Sequence, residues 1–68
     1  MYLYNNVHIL RKNLHMTQED LAKAVGVTRQ TIISIENGKY QASLLLALKI
    51  AKIFNMPLEE IFTLEDGD

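Results

Sequence analysis

Val7, Leu10 and Leu14 recur at i, i+3 and i+7, the spacing that puts side chains on one face of a helix. Asn5 and Asn6 precede them and can cap the free amides of a first turn. The pattern therefore predicts a helix from Val7 to about Leu14. Arg11 stands at the edge of its apolar stripe, where it either reaches solvent or pairs with an acid from another helix. Thr17 opens a second helix. Thr17 and Asp20 resemble a capping box, and Met16 with Leu21 has the spacing of a hydrophobic staple. Leu21, Ala22 and Val25 form the inner face, with Ala22 small where another helix would cross closely. Gly26 ends this helix, because a residue without Cβ tolerates the left-handed backbone of a tight turn. Thr28 caps a third helix, Val27 and Ile32 repeat the staple, and Ile32 and Ile35 point inward. Asn37-Gly38 stops it.

After the connector Lys39–Ala42, Ser43 caps a fourth helix. Leu44, Ala47, Leu48, Ala51 and Phe54 fall on one stripe, and Leu45, Leu46 and Ile50 widen the apolar surface, so the expectation is a central strut buried on two sides. Pro57 suits the first position of a short last helix anchored by Leu58, Ile61 and Phe62. Thr63–Asp68 turns acidic, and its end is expected to fray. There are no repeats, low-complexity segments or linkers, so one domain is expected to cover residues 1–68.

The stretch Gln18–Asn37 is thus helix, glycine turn, helix. The outward face of the second of these helices carries Arg29, Gln30, Ile33, Ser34 and Asn37. A buried face with hydrogen-bonding side chains on the opposite, N-terminal side is what a helix needs to read base edges in the DNA major groove. Arginine bridges guanine O6 and N7, glutamine bridges adenine N6 and N7, and an isoleucine can meet a thymine methyl. Ile33 either makes that contact or covers a neighbouring side chain, and the pattern leaves both open. Gln18 can donate to a phosphate at the start of the preceding helix. Thr28 opens the reading helix, and Asn37 and Lys39 can hold the backbone on the other side.

Composition changes this picture little. At 68 residues the chain is near the lower size at which one core holds a fold, and it has no cysteine, so neither a disulfide framework nor a thiolate metal site is possible. No apolar run is long enough to span a bilayer and no basic-then-apolar leader is present, so a soluble cytoplasmic protein is expected. The formal net charge of −1 is unusual for a nucleic-acid partner. It is uneven, however. Residues 1–40 hold five basic and three acidic side chains, a net +2, and residues 41–68 hold two and five, a net −3. The acid lies away from the proposed reading face, and the field depends on distribution more than on the sum.

His8 and His15 have no partner ligands at suitable spacing and read as surface histidines, with no metal site. Lys49 and Lys52 read as a solvated face, and Glu59-Glu60 as helix N-terminal charge. Nothing resembles a nucleophile–base arrangement, so no enzyme activity, cofactor or small-molecule ligand is expected.

Gln18, Leu21-Ala22, Gly26-Val27, Ile32, Ile35 and Glu36-Asn37-Gly38-Lys39 resemble the helix-turn-helix of the Cro and phage-repressor class, the xenobiotic-response-element family. Ser43-Leu44, Ala47-Leu48, Ile50-Ala51 and Pro57–Phe62 extend the likeness to nearly the whole chain. The resemblance implies an all-α, five-helix lambda-repressor-like domain that binds an inverted-repeat operator in double-stranded DNA as a homodimer. It also implies that Arg11 pairs with Glu36 at the end of the recognition helix. Arg29-Gln30-Thr31-Ile32, Lys39-Tyr40 and Ser43–Ala51 are similar to the short cytolysin-repressor-like proteins, in which terminal segments form a small antiparallel sheet. Tyr2-Leu3-Tyr4 and Phe62-Thr63-Leu64 have the alternation for one, although two strands are marginal unless packed on helices.

The chain departs from the family at Ala42, where proline is usual, and at Ile33, where a polar residue is common. Ala42, Leu45 and Leu58 are candidates for a dimer interface. The function expected is a transcriptional regulator, a homodimeric repressor. The alternatives are an antitoxin or phage-immunity regulator controlled by a partner protein, or a protein-interaction module that has lost DNA binding.

Overall fold

A computed structural model describes residues 2–39 and 42–65. Tyr40 and Gln41 of the connector, and the acidic end Asp66–Asp68, lie outside the described residues. The chain runs β1 (Tyr2–Asn5), α1 (Val7–Asn13), α2 (Gln18–Val25), α3 (Arg29–Glu36), α4 (Leu44–Phe54), α5 (Leu58–Ile61) and β2 (Phe62–Glu65). Over the described residues it is a five-helix fold closed by a two-stranded sheet.

The strands pair antiparallel, Leu3 opposite Leu64 and Asn5 opposite Phe62. So short a sheet has little stability of its own, and this one is fastened to the helices at its inner end. The Asn6 amide donates to the Ile61 carbonyl at 2.9 Å, Asn5 Nδ2 donates to the Ile35 carbonyl at 2.9 Å, and Phe62 packs against the core.

The caps of α2, α3 and α4 follow the sequence. Thr17 and Asp20 form a full capping box, the Thr17 hydroxyl accepting from the Asp20 amide and the Asp20 carboxylate from the Thr17 amide. Thr28 accepts from the Thr31 amide and Ser43 from the Leu46 amide. Gly26 has φ 78°, and a Cβ there would meet nothing within 4 Å. Glycine is needed at that turn for its backbone angle and not for space. At α1 one of the two expected asparagines serves: Asn5 Oδ1 accepts from the Val7 amide at 3.1 Å, and Asn6 makes no side-chain cap. Pro57 occupies the residue before the first turn of α5, one position earlier than expected.

The core joins every helix: Val7, Leu21, Ile32, Ile35, Ile50 and Ile61 are fully buried. Two expectations about it are corrected. Leu14 is not an inner residue but 49% exposed, because α1 ends at Asn13 and the chain turns away through His15 at φ 58°. The inner line of α1 is Val7 and Arg11, with Leu10 half-buried against the core. In α4 the buried residues are Leu46, Ala47, Ile50 and Phe54, while Leu44, Leu45 and Leu48 are 69%, 65% and 50% exposed. The helix is buried on one side only. Both sets recur at helical spacing, so the apolar pattern alone does not fix which one faces in.

Candidate nucleic-acid interface

α3 is held from behind and open in front. Ile32 and Ile35 are fully buried, and Ala22 on α2 is buried in the same core. The outward face carries Arg29, Gln30 and Asn37, all exposed, with Ile33 and Ser34 half-buried between them. Ile33 is therefore less exposed than the sequence suggested, although it still borders the open face. Thr28 is exposed at the helix start; its hydroxyl caps the helix and lies 3.1 Å from the Thr31 hydroxyl. Lys39 is exposed just beyond the helix, past the left-handed Gly38 at φ 74°.

The far end of α3 is clamped by an ion pair. Arg11 Nε donates to Glu36 Oε2 at 2.7 Å and Arg11 Nη2 to Oε1 at 3.2 Å, with both side chains under one-tenth exposed. Arg11 Nη1 donates to the Met16 carbonyl at 2.7 Å, so the guanidinium ties α1, the α1–α2 turn and α3 together. Burial by itself would push the Glu36 carboxyl up; hydrogen bonds from Arg11, Gln18 and His8 and the Arg11 charge outweigh it and hold Glu36 below the usual carboxylate range. A fixed charge at this spot makes the orientation of α3 a property of the folded state. Among the described residues no buried side-chain nitrogen or oxygen lacks a partner.

Gln18 opens α2, where the sequence placed it. It is half-buried, and its Nε2 donates to Glu36 Oε1 at 3.1 Å. One amide hydrogen is thereby used inside the protein, and one is left to reach outward. Two further contributors escaped the sequence reading. Asn5 bonds the Ile35 carbonyl in the last turn of α3, which no local pattern signals. His8, read as a surface histidine, has Nδ1 3.2 Å from Arg11 Nη2 and 3.3 Å from Glu36 Oε1. Its i, i+3 spacing to Arg11 was the available signal.

The proposed interface residues sort in the same way. Leu45 is exposed, Leu58 is half-buried, and Ala42 is half-buried against the core of its own chain. Among the described residues no helix is long and apolar enough to cross a membrane.

Two capped helices around a glycine turn, with a rigid inner face and a polar outer one, define the helix-turn-helix class. The profile of the helix-turn-helix family matches residues 7–61, and the chain belongs to that family. It is 55% identical over 64 residues to an uncharacterized HTH-type transcriptional regulator of Methanocaldococcus jannaschii, covering 94% of this chain and 97% of that one. It is 53% identical over 62 residues to the uncharacterized HTH-type transcriptional regulator YgzD of Bacillus subtilis, covering 91% and 94%. The fold is also that of the restriction-modification controller protein C.AhdI from Aeromonas hydrophila, with a TM-score of 0.74 and 30% identity over 79% of this chain and 82% of that one.

Proposed function

We propose that this protein is a sequence-specific DNA-binding transcriptional regulator, a homodimeric repressor acting in the cytoplasm, that reads the major groove with the outward face of α3. The observation that carries the reading is the polarity of that helix. Arg29 and Gln30 stand exposed in its first turn, while Ile32 and Ile35 behind them are fully buried and Glu36 fixes the other end through Arg11. Arg29 and Gln30 each have a bidentate partner among the bases. Ile33 and Ser34 extend the reading surface, and Thr28, Gln18, Asn37 and Lys39 set the register on the phosphates.

Support for the dimer comes from α4. Leu44, Leu45 and Leu48 are too large and too close together to be ordinary scattered surface residues, and pairing that face with a second copy, with Leu58 alongside, removes it from water. Ala42, already packed inward, contributes least. A two-fold pair sets the half-sites about 34 Å apart, one turn of DNA.

The test is binding to the DNA upstream of the gene, over a series of salt concentrations. Tight binding to one inverted repeat, weakening with salt and abolished by Arg29→Ala together with Gln30→Ala, supports the reading. Salt-independent binding, or none to any upstream fragment, overturns it and favours a protein-interaction module.

A further inference from the structure

Asn37 is the one asparagine of the chain that is followed by glycine; Asn5, Asn6, Asn13 and Asn55 all precede larger residues. The pair matters because a glycine amide has no side chain beside it to shield it. Its nitrogen can attack the side-chain carbonyl carbon of a preceding asparagine. The bond between Gly38 N and Asn37 Cγ forms, the Cγ–Nδ2 bond breaks, and the side-chain nitrogen leaves as ammonia with the amide proton. Water then opens the imide ring at either carbonyl, leaving aspartate or isoaspartate. Water is the only co-reactant.

The structure presents this pair openly and yet holds it shut. Asn37 and Gly38 are both exposed just past the end of α3 and line a surface groove beside β1. A Cβ built on Gly38 would meet nothing within 4 Å, so a closing ring has room. The backbone does the holding. Asn37 has ψ −1°, which eclipses the Gly38 nitrogen with the Asn37 nitrogen and turns it away from Cβ. It has to swing round before it reaches Cγ. Two hydrogen bonds oppose that swing: the Gly38 amide donates to the Ile35 carbonyl and the Lys39 amide to the Ser34 carbonyl, each at 3.0 Å. The first of them also occupies the proton that the reaction must remove. Behind them Asn5 Nδ2 donates to the same Ile35 carbonyl at 2.9 Å, and Arg11 holds Glu36.

We propose that Asn37 is a self-modification site, and that the closed last turn of α3, braced through Glu36, holds its reaction back. Helix ends open locally at lower cost than the whole fold. Each opening frees the glycine amide, and a fraction of openings ends in the irreversible change of a neutral side chain into an anion. The consequence for DNA rests on the function proposed above; the reaction itself does not. Asn37 stands where that function places a phosphate contact, so a carboxylate there brings like charges together. Isoaspartate further adds a methylene to the main chain next to the left-handed Gly38. An aged chain therefore loses its hold on DNA while its core stays intact.

The reaction is read by mass spectrometry of the full chain, kept at mildly alkaline pH either folded or in guanidinium chloride. The mass gain of deamidation is located by peptide fragmentation. It is expected at Asn37 in both samples, and roughly tenfold or more slower in the folded one, where the turn is mostly closed. Glu36→Gln, which loosens the brace, is expected to speed the folded chain and leave the unfolded rate unchanged. No conversion at Asn37 in guanidinium chloride, or equal rates in the folded and unfolded chains, overturns the proposal. So does a folded rate that Glu36→Gln leaves unaltered.

The consequence is read on upstream DNA that the unmodified protein binds. Asn37→Ala weakens binding roughly fivefold, the usual worth of one hydrogen bond. The converted protein, separated by ion exchange, is expected to bind roughly tenfold or more weakly, because repulsion joins that loss. Equal binding by converted and unmodified protein overturns the effect on DNA. If the unmodified protein binds no upstream DNA, the regulator reading fails, and the mass measurement still decides the modification.

Discussion

α3 and α4 begin alike and end up facing different worlds. Each is opened by a hydroxyl residue that accepts from the amide three positions on, and each buries a row of large aliphatic side chains, Ile32 and Ile35 in one and Leu46 and Ile50 in the other. They differ on the outside. α3 shows Arg29, Gln30 and Asn37 to solvent, whereas α4 shows Leu44, Leu45 and Leu48. The inner rows are interchangeable in kind and serve the fold. The outer rows are not interchangeable: polar groups with directional donors suit base edges, and bare leucines suit another protein surface.

The largest effect expected from that contrast lies within α4. Ile50→Ala on the inner row removes a fully buried side chain and is expected to destabilise the fold by about 2–5 kcal/mol. Leu48→Ala on the outer row is expected to change the stability of the dilute protein by about 0.5 kcal/mol or less, but to shift the monomer–dimer equilibrium towards monomer. Urea denaturation at low concentration and sedimentation at high concentration measure the two quantities separately. Equal destabilisation by both changes would mean that Leu48 already packs within one chain.

The difference between these helices also sets how much of the molecule was legible. In α3 the polar residues mark the outside, so burial of Ile32 and Ile35 follows from sequence, as do the capping hydroxyls and the left-handed Gly26. In α4 nearly every position is apolar, and the choice between the Leu44–Leu48 row and the Leu46–Ile50 row is made by contacts with α2 and α5 that no local period contains. The Arg11–Glu36 pair became readable only through family likeness, since the two residues lie 25 positions apart. The bonds of Asn5 to Ile35 and of His8 to Glu36 stayed invisible because they span 30 and 28 positions, although the i, i+3 spacing of His8 to Arg11 was there to be read. The site was therefore legible where it faces outward, and obscure where it is braced.

That brace carries the next effect. Glu36→Gln keeps the shape but removes the charge that Arg11 meets, and it is expected to cost about 2 kcal/mol, the worth of a hydrogen bond to a charged group. It also predicts a pH dependence. Because the Glu36 pKa is held down in the folded state, its stabilisation is fully present above the ordinary carboxylate value of about 4.3 and is lost as pH falls through the lower folded value. Thermal melts from pH 7 down to pH 3 should lose stability in the wild type more steeply than in Glu36→Gln. The exposed capping carboxylate Asp20, lowered chiefly by its bond from the Thr17 amide, is retained in both proteins and cancels. Parallel pH profiles would show that the ion pair does not act as the clamp on α3.

On the outer row of α3, Arg29→Ala is expected to cost about 1–3 kcal/mol of discrimination between operator and mismatched DNA, while leaving the melting temperature unchanged because the side chain is exposed. Competition binding against single-base variants of the operator locates the base pair it reads. A uniform loss across all sequences would make Arg29 a phosphate contact, and the reading would pass to Gln30 and Ser34.

The smallest effect sharpens the one point where the two helices resemble each other on the outside, the apolar Ile33 at the edge of the polar face. Ile33→Val removes one methylene, worth about 0.8 kcal/mol if that group is buried against a thymine methyl. Replacing thymine by uracil at each operator position deletes only the DNA methyl. If the two groups touch, the valine variant is insensitive to one of those uracil substitutions that weakens the wild type, and the two losses do not add. Additive losses at every position would instead make Ile33 a cover for its neighbours on α3. Its half-buried state would then belong to the fold, and specificity would rest on the three polar residues around it.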